Sequence, residues 1–178
     1  MNDKHFFPLW IRQLQNWVVT IGSVLVCLLL LPTRFPGMEL LGIGPHWMAI
    51  WVVAWSVKRK VYQGILAGLA AGFLLDGMSR AEPTHAIGLA LVGFLTASLQ
   101  KSRYIREDFI SVALIVFGMV LVAETVMAVQ FLFVGDRDFT AIWQNYQIIS
   151  LASAILSSLW APVIYVPLQL LWQHTKSE

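Results

Sequence analysis

Hydrophobic positions along this chain fall into six runs, about 17–31, 41–57, 61–75, 85–99, 109–133 and 146–172, divided by short polar stretches. A straight helix needs about 20 apolar residues to cross the hydrocarbon core of a bilayer. The fifth and sixth runs meet that length outright. The second and third are short and nearly touch, separated only by Lys58, Arg59 and Lys60. Three cations between two apolar helices predict a hairpin that turns at a membrane face. The first run follows "HFFPLWIRQLQNW" in the manner of a signal peptide, but Leu31-Pro32-Thr33-Arg34 offers no small-x-small cleavage site, so it reads as a retained span. Ahead of it, Phe6, Trp10, Leu14 and Trp17 recur at helical spacing opposite Arg12, Gln13 and Asn16. The pattern suits an interfacial amphipathic helix, and equally a loose terminus anchored by tryptophan.

Composition turns this periodicity into a class. Only 12% of the 178 residues are charged and 58% are hydrophobic, with eight tryptophans and ten phenylalanines, whereas a soluble domain is about a quarter charged. The mean hydropathy is +0.70. Too little polar surface remains to face water. The expectation is an all-α polytopic membrane protein of six transmembrane helices, forming one integral membrane domain over 1–178. With six spans, Lys4, Arg12, Lys58, Arg59, Lys60, Lys101, Arg103, Arg106 and Lys176 share one side, against Arg34, Arg80 and Arg137 on the other, nine to three. Lys and Arg in short loops mark the cytoplasmic face, so both termini are expected there. The opposite loops, about 32–44 and 134–145, hold only a dozen or so residues each, which leaves soluble chemistry to partners. Cys27 has no second cysteine to pair with, and His5, His46, His85 and His174 match no metal-ligand spacing.

Within the runs, four features carry candidate chemistry. Gly64, Gly68 and Gly72 stand four residues apart on one helical face, widened by Ala67 and Ala71. Such a strip lets another helix approach closely, so that packing and weak Cα–H contacts replace the missing hydrophobic drive. The partner helix is either internal to the bundle or another protein's. No strand precedes the glycines and no P-loop lysine follows them, which removes a phosphate loop. Asp76 continues the face to the helix end and begins "DGMSRAEPTH"; Arg80, the first amides of the fourth helix or a partner's cation would neutralise it. Glu124 lies inside the fifth run, and an acid at that depth is a functional candidate by default; protons, a substrate amine, or a serine of the sixth run (Ser153, Ser157, Ser158) are the options. Trp47, Trp51 and Trp55 form a stripe on the second run that either packs, faces lipid or meets a partner. Pro162 and Pro167 should bend the last helix, and "KSRYIRED" reads as a solvated loop. Ser79, Glu82 and His85 share a loop with Asp76, yet no nucleophile–base–acid set can be assembled, so no catalytic, metal or cofactor residue is assigned and no enzyme is expected.

The stretch from Pro45 to about Gln100 resembles the bacterial rod shape-determining MreD family. The resemblance rests on "PHWMAIWVVAW", a short basic turn, then G-x-x-x-G-x-x-x-D at Gly68, Gly72 and Asp76, and "IGLALVG" around Gly88 and Gly93. It implies a non-enzymatic subunit of the cell-elongation machinery that binds MreC and through it connects MreB filaments to the glycosyltransferase RodA and a penicillin-binding transpeptidase, with no nucleic acid involved. The family also looks like the substrate-binding subunits of energy-coupling-factor vitamin transporters, which supplies a fold and a rival function. That rival calls for an alanine pair on the first span and polar groups in the external loops, and "WVVTIGSVLVCLLLL" has no such pair.

Overall fold

The computed structural model describes residues 9–33, 37–79, 83–100, 109–134 and 139–174. Phe6, Arg34, Arg80, Glu82, the loop 101–108, Arg137 and Lys176 lie outside them, as do the side chains of Trp10, Arg12, Gln13 and His174. Among the described residues the chain is all-helical, with six helices: α1 (Leu9–Leu30), α2 (Trp47–Ser56), α3 (Val61–Ser79), α4 (His85–Gln100), α5 (Phe109–Val134) and α6 (Phe139–His174). Three stretches are long and apolar enough to cross a membrane, namely α3, α5 and Trp143–Trp172 within α6, while Asn16–Leu30, Trp47–Ser56 and His85–Leu99 form shorter apolar helices. The amphipathic segment and the first apolar run are one helix, α1, with Leu14 and Trp17 on its exposed side. Nothing between Trp10 and Trp17 breaks helical propensity, so the two merge.

The second run differs most from its expected form. Its helix has only 10 residues, about 15 Å of rise. Residues 40–43 turn instead of spanning: Leu40 and Ile43 exchange backbone hydrogen bonds of 2.9 and 3.0 Å across Leu41 and Gly42, both at positive φ. Pro45 then disfavours helix for Gly44, and His46 caps α2 by accepting the Ala49 N–H at Nδ1, 3.2 Å. The ten residues that follow are apolar on every face, the mark of a helix enclosed by others. Met48, Ala49, Val52, Val53 and Ser56 are fully buried, and every helix of the bundle touches α2.

Polar side chains pin this central rod where apolar packing cannot. The His46 N–H donates to Ser157 Oγ of α6, 2.8 Å, and Gln169 Nε2 donates to the Ala54 carbonyl in the last turn of α2, 3.0 Å. Trp51 Nε1–H donates to Ser23 Oγ of α1, 2.9 Å, while Ser23 donates to the Thr20 carbonyl. Each satisfies a group that lipid would leave bare. α6 continues through Pro162 and Pro167 over 36 residues, each proline leaving the carbonyl four residues back without its helical donor.

Candidate functional site

The glycine strip is where two helices come closest. Gly64, Gly68 and Gly72 are buried and face α4. A methyl group at Gly68 would stand 2.1 Å from the Leu89 carbonyl oxygen, at Gly72 2.2 Å from Ala86 Cα, and at Gly64 2.5 Å from the Gly93 oxygen. Gly93 answers from the other side, its added methyl meeting the Gly64 oxygen at 2.1 Å. Every clash is with backbone, so no rotamer change can relieve it. Backbone-to-backbone approach of this kind is the small-xxx-small mode of helix association in lipid. The strip therefore faces inward and is filled by this protein's own fourth helix.

Asp76 closes the same interface at its end. It accepts the His85 N–H at Oδ1, 2.9 Å, and the Thr84 hydroxyl at Oδ2, and its Oδ1 lies 2.7 Å from His85 Nδ1. Thr84 Oγ1 in turn accepts the Ala86 N–H, 3.1 Å. A threonine before the first helical residue is an N-cap, and the carboxylate adds negative charge at the positive end of the helix dipole. Of the groups expected to neutralise Asp76, the first amide of α4 takes that role, with Thr84 and His85 beside it; Arg80 lies outside the described residues. Sequence reasoning placed His85 in one loop with Asp76 but gave it no role in the cap. Its signal was available: Pro83-Thr84 ahead of an apolar run is a helix-start pattern.

Behind this cap lies a polar cluster at one end of the bundle. The rings of His46 and His85 meet edge-on with centroids 6.4 Å apart, and Gln130 Nε2 of α5 donates to the Thr84 carbonyl, 3.1 Å. Together with Glu124 they border a cavity of about 10 Å³, room for a single water. Glu124 does not reach the sixth-helix serines. Ser157 is engaged by His46, and Ser158 donates to the Ile155 carbonyl at 2.8 Å. Among the described residues no hydrogen bond or ion pair to the Glu124 carboxylate is present.

The tryptophan stripe turns inward. Trp47 and Trp51 are 3% and 4% exposed, and Trp55 is half-buried, so this stripe offers little surface to a partner helix. Trp47 meets Trp160 edge-on, and Trp55 stacks on Trp51 at 5.7 Å and meets Trp172 at 5.1 Å. Arg59 caps the column, its guanidinium carbon 4.1 Å from the centre of a Trp55 ring, a cation–π contact at the basic turn. The reason is the shortness of α2: with neighbours on all sides, its large side chains can only fill the interior.

No group of three or more His, Cys, Asp or Glu able to hold a metal ion is found among the described residues. No curated protein and no solved structure matches the chain. The bundle's features, a Gly-x-x-x-Gly-x-x-x-Asp helix locked to its successor behind a basic turn, are those on which the resemblance rests, and the family described as "rod shape-determining protein MreD" matches residues 11–175. The chain belongs to the MreD family.

Proposed function

We propose that this chain is a non-enzymatic inner-membrane subunit of the cell-elongation machinery that binds MreC, and through it links MreB to RodA and a penicillin-binding transpeptidase. Membership of the MreD family over residues 11–175 carries this reading, and it supports a role in determining rod shape. The full arrangement is a bundle crossing the bilayer six times with both termini in the cytoplasm, similar in plan to the substrate-binding subunits of energy-coupling-factor transporters. The nine-to-three asymmetry of Lys and Arg supports that orientation, as does Arg59 stacked on Trp55 at the basic turn, an aromatic–cation arrangement suited to a membrane interface.

With α2 enclosed and the glycine strip occupied by α4, the faces that remain for a partner helix are the outer sides of α1, α3, α4, α5 and α6; Leu66, Phe73 and Ile87 expose theirs on α3 and α4. Leu25, Leu29, Leu114, Leu151, Leu159 and Val163 are all more than half exposed. Affinity purification in a mild detergent tests the reading. Co-purification of MreC with elongation enzymes is the expected result; recovery of ATPase subunits with a bound vitamin overturns it. Cysteine labelling at Lys60 and at Leu41 from either side of sealed vesicles tests the orientation, with Lys60 expected to react only from the cytoplasmic side.

A further inference from the structure

Glu124 is the one candidate that the fold leaves without an internal task. It sits ten residues before the end of α5 at Val134, about 15 Å below that end. Glu124 also lines a second pocket, between α5 and α6, of about 110 Å³, with Met127, Ala128, Phe131, Asn145, Tyr146 and Ile149. The wall is fixed. Thr125 donates its hydroxyl to the Leu121 carbonyl, 2.6 Å, so the Tyr146 hydroxyl, 2.7 Å away, donates to Thr125. Tyr146 is thereby tied into the pocket wall, its ring also meeting that of Trp143 with centroids 5.7 Å apart.

Three properties define what fits. First, the carboxylate at the base has no partner among the described residues, so it calls for a positive group; an acid of this depth is retained against a cost of several kcal/mol unless paired. Second, apart from the Asn145 amide the other lining residues are aliphatic and aromatic, the surface along which Lys and Arg bury their methylene stems. Third, the volume is small: a cavity of about 150 Å³ takes benzene with its six heavy atoms, so 110 Å³ takes about four or five. A lysine side chain has five beyond Cα. A phospholipid headgroup with its phosphate is larger. The neighbouring surface supplies a bed for a helix, since Val129, Leu132, Phe133, Ile148 and Ile155 are exposed apolar residues on the same two helices.

We propose that this pocket receives a basic side chain, a lysine by volume, from an apposed transmembrane helix of the partner protein, its ammonium paired with Glu124. This deepens the proposed function by naming the docking point, and rests on that reading. The experiment co-expresses the full chain with MreC and compares wild type with Glu124→Gln, Glu124→Asp and Ala128→Trp, the last filling the pocket without touching the acid. Retained MreC should fall roughly 3- to 30-fold in Glu124→Gln, the range of interhelical polar contacts in bilayers, fall comparably in Ala128→Trp, and recover in Glu124→Asp. Thermal unfolding of each purified variant separates this from misfolding. A benzophenone amino acid at Ile149 should crosslink to a span of the partner that holds a lysine or arginine.

Equal retention by wild type and Glu124→Gln overturns the proposal alone. Failure of wild type itself to retain MreC overturns the functional reading and the proposal with it. Native mass spectrometry adds a third arm: an amine-bearing lipid bound by wild type and lost in Glu124→Gln, with MreC unchanged, assigns the pocket to lipid and overturns the protein occupant. Should Glu124→Gln fail to accumulate, Ala128→Trp and the Ile149 crosslink decide the question.

Discussion

Replacing Gly68 with alanine adds one methyl group at the tightest point between α3 and α4. The added carbon meets the Leu89 carbonyl oxygen at 2.1 Å, the Leu89 carbonyl carbon at 2.5 Å and Ala90 Cα at 2.7 Å. Ordinary contact begins at 3.4 Å, so the helices must part locally by about 1.3 Å (3.4 less 2.1). Gly64 and Gly72 flank the site on the same face and share the same partner, so parting the helices at the middle rung loosens both outer ones. A gap of that size forfeits a large part of each dispersion contact across it, and in lipid no hydrophobic drive compensates. Overpacking of this type costs about 1–3 kcal/mol. Gly77 supplies the control within the same helix: a methyl there meets nothing within 4 Å, and removing a glycine from a helix gains up to about 1 kcal/mol. Thermal unfolding in detergent, followed by tryptophan fluorescence, should lower the Tm of Gly68→Ala by roughly 2–12 °C at about 2–4 °C per kcal/mol, and leave Gly77→Ala level or slightly raised. A Gly68→Ala protein as stable as Gly77→Ala refutes the close-approach argument. Gly68→Leu should go further and prevent accumulation of the folded protein in the membrane.

Other perturbations follow from named hydrogen bonds. Asp76→Ala strands the His85 N–H and the Thr84 hydroxyl and should cost about 1–3 kcal/mol, seen as faster hydrogen exchange in the first turn of α4; unchanged protection there contradicts the capping role. Ser157→Ala leaves the His46 N–H without its acceptor and should lower thermal stability by a similar amount, with valine at the same position no better. Trp51→Phe keeps most of the ring but deletes the link to Ser23, and should cost about 1 kcal/mol, measured by the same melt. Trp55→Leu removes the platform beneath Arg59, worth about 0.5–1 kcal/mol at an exposed site, and should speed modification of Arg59 by phenylglyoxal.

Much of this architecture was legible along the chain because lipid imposes few solutions. An apolar run of sufficient length must be helical, so each of the six helices begins or ends within two residues of a run boundary. The Gly-x-x-x-Gly spacing announced a close helix contact, and its invitation was to the very next helix, joined by a turn that Asp76 and Thr84 organise. What the sequence could not express was enclosure. Trp47, Trp51 and Trp55 have the same spacing whether a helix borders lipid or protein, and only the packing of five neighbours around α2 decides between them. The Leu40–Ile43 turn also escaped, because its leucines and isoleucine read as part of the apolar run, although Gly42 and the Gly44-Pro45 pair mark the bend. Glu124 was conspicuous as a charge in an apolar run, but its two adjoining cavities depend on residues of α4, α5 and α6 together with the caps His46 and Thr84.

The shortness of α2 has a counterpart at the perimeter. α3 and α4 have 19 and 16 residues, whereas α5 and α6 have 26 and 36, giving walls of about 28 and 24 Å on one flank against about 39 and 54 Å on the other. On the proposed six-span arrangement, a hydrocarbon layer of about 30 Å thins beside α3 and α4, or the bundle leans, or the ends of the long helices stand clear of the layer. Each outcome gives the molecule a direction in the plane of the membrane, a thin side and a thick side. The proposed function gains from such an asymmetry, because neighbours with short spans settle at lower cost against one flank and those with long spans against the other.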